Sequence, residues 1–398
     1  MTKISPLLGI LVFLCISYLW SEDRRKIRLK TAGIGLLLQI GFAFVMLKTP
    51  VGLWIFQGAN NAFLKLKEYS DQGARTLFGS LTTSDSLGTS LAFSSLPLII
   101  FVSALMGVLV YFGVIQFLIR QFARLFYRTL RITGVEAFTS SLLMFMGIET
   151  FTGVKKYLDR MNRSQLFTVM TVYMATIAGS VMAVYTGFGA QAGHLFTASL
   201  MSIPAAFVIA KLMIPDDAIK REETIDHLTI QRKEKNLLQA MANGTSDGLQ
   251  LALQVGAMII AFVAVIFLFE DIIGLSGLRL QPLLGYLFSP FAWLMGIPAG
   301  EARAVGNLLG IKTFFNEFLA YLNLKSLIDT GGLSPRTVSI ATYALCGFAN
   351  FGSVGIILGG IRSIAPKQLK TASSLALKSL VAGTLATFMT AALVSFFV

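Results

Sequence analysis

The stretch Ala344-Leu345-Cys346-Gly347-Phe348-Ala349-Asn350-Phe351-Gly352-Ser353 decides how the chain is read. It lies within an apolar run, residues 337–361, long enough to cross a bilayer. Such a run is expected to form a smooth helix, yet Gly347, Asn350, Gly352 and Ser353 interrupt its middle. Upstream, Asn316-Glu317-Phe318 puts a carboxylate into a segment almost as apolar. A carboxylate at membrane depth costs about 2.5–3.5 kcal/mol on insertion scales, so it faces a partner or a water-filled pathway. A broken helix at that depth is tolerated only where it lines a cavity or is buried in protein. Together the two features predict a solute-binding cavity inside a membrane protein.

Composition supports that setting. Of 398 residues, 55% are hydrophobic and 13% charged, about half the charged share of a soluble domain; the mean hydropathy is +0.72. The net charge of +13 does not imply nucleic acid, because Lys and Arg gather in short loops between apolar runs. Cys15 and Cys346 both lie in apolar runs, so no disulfide framework is expected. Two histidines, His194 and His227, cannot build a histidine-rich metal site. His194 reads as an outer-loop residue and His227 as part of a solvated linker.

The apolar runs predict an all-α polytopic membrane protein with about eight transmembrane helices. They fall near residues 5–20, 32–47, 91–119, 166–187, 195–213, 249–269, 337–361 and 371–398. The basic clusters set orientation. Arg24, Arg25, Lys26, Arg28 and Lys30 mark the first loop as cytoplasmic, as Arg120, Arg124, Arg128 and Arg131 mark the segment after the third run. Arg362, Lys367 and Lys370 before the last run fit the same side, which puts both termini outside. Residues 114–131 read as an amphipathic surface helix and 215–246 as a polar linker, while 51–90 carry no clear pattern.

Two further stretches are too polar for spans and too apolar for loops. Residues 134–158 contain Glu149; residues 284–324 contain Glu301 and Glu317. Each fits a re-entrant helical hairpin, the first entering from the cytoplasmic side and the second from outside. Each is followed by a span with small residues at its centre, Gly179-Ser180 in one and Gly347 in the other. That layout is the mark of an inverted-repeat transporter. It divides the chain into an N-terminal transmembrane region (1–85), a gate-like region with the first hairpin (90–190) and a C-terminal transport region with the second (191–398).

Asn316-Glu317-Phe318 and Leu345-Cys346-Gly347-Phe348-Ala349-Asn350 together resemble the concentrative nucleoside transporter family. Gly306, Gly310 and Lys312 before Asn316, Ser21-Glu22-Asp23-Arg24-Arg25 after the first span, and Ile177-Ala178-Gly179-Ser180 in the fourth add to the resemblance. It covers essentially the whole chain. It implies a homotrimer of eight-span subunits, embedded in the bilayer, that moves nucleosides inward on a sodium or proton gradient without other cofactors. It further implies that Glu317, Asn350 and Ser353 hold the ribose hydroxyls and that Phe348 lines the pocket. The chemistry agrees: a carboxylate accepts two hydroxyl hydrogen bonds, and an amide offers a donor and an acceptor.

The first hairpin departs from the family pattern. Matching Glu149 to the family glutamate of the nucleobase side puts Gly147 and Ile148 where Gln and Thr belong, and aligning on Gly147 instead puts Ile148 at the Gln and shifts the glutamate by one; either way the base-reading Gln is gone. Leu142 or Leu143 replaces the asparagine that ligates sodium. A sodium site would then rest on oxygens around Met146, Ser180 and Val181, and the expectation is mainly proton coupling with Glu149 as carrier. A non-transporting receptor or assembly factor with similar hairpins is disfavoured by the intact ribose-side motif. An intramembrane enzyme lacks a His-Glu-x-x-His, Gly-x-Ser-x-Gly or paired catalytic Asp motif.

Overall fold

A computed structural model describes residues 4–83, 91–130, 132–147, 154–216, 234–275, 277 and 279–398. Its elements are helical, with no strand among the described residues. Among the described residues six helices are long and apolar enough to cross a membrane: Leu29–Lys48, Ala92–Tyr111, Arg163–Gly187, Ala192–Met213, Leu237–Gly274 and Pro366–Val394. Each coincides with an expected run. The remaining two runs fall short for physical reasons: α1 (Ile4–Leu19) has 16 residues, and residues 337–361 are broken in two.

The first two regions follow from local sequence. α2 (Leu29–Lys48) and α3 (Pro50–Phe78) meet at Thr49, whose hydroxyl accepts from Gly52 N and whose next residue, Pro50, starts the helix. The unassigned 51–90 stretch is thus mostly one amphipathic helix. α4 (Leu96–Tyr111) stops at Gly113, which adopts φ 80°, so the expected run 91–119 ends there. α5 (Val114–Leu130) buries Ile115, Ile119, Ala123, Phe126 and Leu130 on one stripe, the amphipathic helix the sequence predicts.

α6 (Gly134–Leu143) starts with a capping box between Thr133 and Glu136. Glu136 also receives the ammonium of Lys211, which is shared with Asp216 and with the Ser164 hydroxyl at 3.2 Å. The chain then reaches α7 (Lys155–Leu158). α8 (Arg163–Ala175) and α9 (Gly179–Gly187) form one span with extended backbone at Thr176 and Ala178 between them. α10 (Ala192–Met213) is 89% buried within its span and forms the centre of the molecule.

α11 (Leu237–Gly274) is 38 residues long and only 11% buried within its span, as a lipid-facing helix would be. It begins well inside the stretch expected to be linker, because Asn236 caps it. Gly244 and Gly248 press against the α4 backbone at Ser103 and Ile100, and Gly107 against Ala240, so these two helices pack almost backbone to backbone.

The second expected hairpin resolves into three helices. α12 (Leu280–Leu294) turns back on α13 (Ala299–Phe314) at 117° through residues 295–298, where Gly296 takes φ 89°. α13 then breaks at Phe315–Asn316 before α14 (Glu317–Asp329). Glu301 and Glu317 therefore do not share one hairpin arm. Glu301 opens α13 and accepts the Ser334 hydroxyl at 3.0 Å, whereas Glu317 opens α14. α15 (Pro335–Leu345), α16 (Phe351–Ile364) and α17 (Leu369–Val394) complete the chain.

His194 differs from expectation. It is half-buried in the first turn of α10, with Nδ1 3.2 Å from the Tyr343 hydroxyl and its ring edge-on to Phe56. His227 lies outside the described residues.

Candidate functional site

The site grows out of three interrupted helices. A helix N-terminus carries unpaired N–H groups and about half a positive charge, so it accommodates an anion. The breaks before α14 and α16 create two such ends inside the protein. Asn316 caps α14, its Oδ1 accepting from Leu319 N at 2.9 Å; Asn350 caps α16, its Oδ1 accepting from Ser353 N at 2.7 Å. Glu317, the first residue of α14, is 2% exposed. Its carboxylate lies at the start of one helix and touches the cap of the other, the arrangement that best offsets the cost of burying a charge.

Both carboxylate oxygens of Glu317 are held. Asn350 Nδ2 donates to Oε2, and the Tyr185 hydroxyl donates to Oε1 at 2.9 Å. Each oxygen retains acceptor capacity, since a carboxylate offers about four lone-pair sites. Asn316 Nδ2, on the residue before Glu317, is buried and has no hydrogen-bond partner among the described residues.

The α15–α16 break is wedged against the α8–α9 break. A Cβ on Gly347 would lie 2.8 Å from Met174 O and 2.9 Å from Thr387 Cγ2, so only glycine fits. Phe348 is half-buried and packs its ring against Tyr173 at 5.4 Å. Lys312, 1% exposed, donates to Ala344 O at 2.8 Å and to the Thr387 hydroxyl at 3.3 Å. It thus serves a carbonyl in the last turn of α15, where a cation complements the helix end. Among the described residues Glu317 forms no ion pair with Lys312 or Arg303; Arg303 donates to the Tyr286 hydroxyl at 2.7 Å.

The expected ribose-side residues Glu317, Asn350 and Ser353 therefore come together, with Phe348 in the same break. Met146 and Ser180 line a second region, a cavity of about 180 Å³ bordered also by Gly147, Asn243, Asp247 and Leu251. Gly179 N donates to Phe145 O at 3.3 Å and draws the start of α9 to the first hairpin; Val181 is buried next to Ser180. Among the described residues no group of three or more His, Cys, Asp or Glu is placed to hold a metal ion. Leu142 and Leu143 are buried in α6. Glu149 lies outside the described residues. The sequence carries no signal for Tyr185 at this site. Tyr185 sits 132 positions from Glu317 in an apolar run, where an aromatic reads as core.

Comparison with known proteins covers the chain from end to end. The family model described as Na+ dependent nucleoside transporter C-terminus matches residues 194–395, and its N-terminus counterpart matches residues 8–81. A model described as Nucleoside recognition matches residues 92–192. The provisionally named nucleoside permease NupX of Escherichia coli is 37% identical over 100% of this chain and 99% of its own. The nucleoside permease NupC of Helicobacter pylori is 33% identical over 100% and 98%. The structure of CNTnw in an inward-facing substrate-bound state superposes with TM-score 0.92 at 34% identity, covering 100% of this chain and 98% of that one.

Proposed function

The chain belongs to the Na+ dependent nucleoside transporter family, and from that premise we propose that it is a secondary active symporter carrying nucleosides inward on a cation gradient. It is a membrane transporter and not an enzyme. The observation that carries the substrate reading is the Glu317–Asn350 contact between two buried helix N-termini. A carboxylate with open acceptor sites beside an amide forms a grip for two adjacent hydroxyls, such as a ribose diol.

Ser353 in the first turn of α16 and Phe348 in the break complete this side, one for a hydroxyl and one for a ring face. Glu149 belongs to the base side in the same reading. The setting is the plasma membrane, a bacterial inner membrane, with a trimer of identical subunits and both termini outside.

The coupling ion is a proton or sodium. Buried Leu142 and Leu143 supply no side-chain oxygen, which favours a proton; the family's sodium dependence favours an ion held by oxygens around Met146, Ser180 and Val181. Proteoliposomes with sodium and pH gradients imposed separately test both parts. Accumulation of labelled uridine above the bath concentration under one gradient is expected. Uptake that only equilibrates, under either gradient, would reject symport.

A further inference from the structure

We propose that Tyr185 is the positioning residue of the site, fixing the Glu317 carboxylate so that it presents its open acceptors to the substrate diol. The inference rests on the nucleoside reading above and adds a part that α9 plays in it.

Three observations carry it. Tyr185 is fully buried, and its hydroxyl lies 2.9 Å from Glu317 Oε1. Its ring cannot swing away. It stacks on Tyr321 with centroids 4.3 Å apart and planes at 21°, and meets Phe318 edge-on at 5.3 Å. Tyr321 is itself anchored, its hydroxyl donating to Thr342 O at 2.8 Å on α15.

The carboxylate is thus held by one donor on each oxygen, from two helices far apart in sequence: Tyr185 on α9 and Asn350 on α16. Neither donor alone fixes the plane of a carboxylate, because rotation about the Cγ–Cδ bond costs little. With both in place the plane is set, and one acceptor site on each oxygen remains for a hydroxyl. α9 also carries Gly179 and Ser180, tied to the first hairpin through Phe145 O. Tyr185 therefore joins the first-hairpin half of the molecule to the ribose grip in the second half, without touching the substrate.

The experiment uses Tyr185→Phe, which keeps the stack and removes only the hydroxyl. In proteoliposomes the KM for uridine is expected to rise about tenfold, the loss of one hydrogen bond to a charged group, while Vmax stays within about twofold. The inhibition constant of 2′,3′-dideoxyuridine, which has no diol, is expected to stay unchanged. In a Glu317→Gln background the same substitution is expected to add nothing. An unchanged uridine KM, or equal weakening of uridine and the dideoxy analogue, would overturn the proposal.

A second arm needs no substrate. Unfolding of the detergent-solubilised wild type, both single variants and the double variant forms a cycle. Shifts that fail to add support a Tyr185–Glu317 unit, and additive shifts overturn it. A wild type that takes up no nucleoside would sink the functional reading, and the cycle would then decide for or against the unit by itself.

Discussion

Replacing Asn350 separates the two tasks its side chain performs. Its Oδ1 caps α16 through Ser353 N, and its Nδ2 donates to Glu317. Asn350→Ala removes both. Loss of an N-cap costs about 0.5–2 kcal/mol. Leaving a buried acceptor without its donor costs about 1–3 kcal/mol, and more when the acceptor is charged. The sum, about 1.5–5 kcal/mol, is a large share of the 5–15 kcal/mol typical of a folded domain. Asn350→Ser keeps a good cap and loses only the donor to Glu317, so it is expected to regain about 0.5–2 kcal/mol of that loss. Asn350→Asp also keeps the cap but sets a second carboxylate against Glu317, and is expected to be less stable than the serine variant at neutral pH. Denaturant or thermal unfolding in detergent measures the series, and uptake in proteoliposomes measures function. None of the three is expected to transport at the wild-type rate. Alanine and serine variants of equal stability would refute the capping argument. Wild-type uptake by Asn350→Ser would refute a role for the Asn350–Glu317 contact in binding.

Gly347→Ala forces a Cβ to within 3.0 Å of the Met174 and Ala175 backbone; overpacking of about 1–3 kcal/mol is expected, seen as a lower unfolding temperature, and an unshifted transition would show that the two breaks are not wedged together. Glu22, in the Ser-Glu-Asp-Arg-Arg segment, has its carboxyl held at about 2, below the usual 4.5, by a hydrogen bond from Arg163 that outweighs burial, with further help from Lys378. The unfolded chain binds that proton more tightly than the folded one, so the stabilisation is complete above pH 4.5 and is lost as pH falls toward 2. The difference in unfolding temperature between wild type and Glu22→Gln is therefore expected to shrink across that window, and a constant difference would contradict it. Cysteine labelling in intact cells is expected to place residues 26 and 367 inside and residue 398 outside; a cytoplasmic C-terminus would overturn the orientation read from the basic loops.

Much of the site was legible because its residues are out of place locally. Asn350 and Gly347 in an apolar run have no reason to be there as helix interior, and both mark the break. Asn316 stands beside Glu317 in the quoted motif, and its role as the cap of α14 is visible only in the structure. What escaped reading depended on distant packing or on local polarity. Tyr185 looks like any buried aromatic until Glu317 is set beside it. Lys312 reads only as part of the motif before Asn316, and its service to the end of α15 depends on packing. The apolar run of α11 starts later than the helix because Asn243, Thr245 and Asp247 dilute the hydropathy there, while Asn236 caps the helix upstream. The second hairpin reads as one unit because hydropathy has no signal for two turns so close together, at residues 295–298 and at Phe315–Asn316. His194 reads as a loop residue because a lone polar residue near a span end carries no trace of Tyr343 or Phe56.

The most direct measurement of the central claim, that Glu317 and Asn350 grip a vicinal diol, is equilibrium binding of uridine and 2′,3′-dideoxyuridine to the purified protein and to Glu317→Gln. The wild type is expected to bind uridine more tightly by the worth of one or two charge-assisted hydrogen bonds, at least about 1.5–3 kcal/mol or roughly 10- to 150-fold, and Glu317→Gln to lose most of that preference. Equal affinity of the wild type for the two compounds, or an undiminished preference in Glu317→Gln, would contradict it.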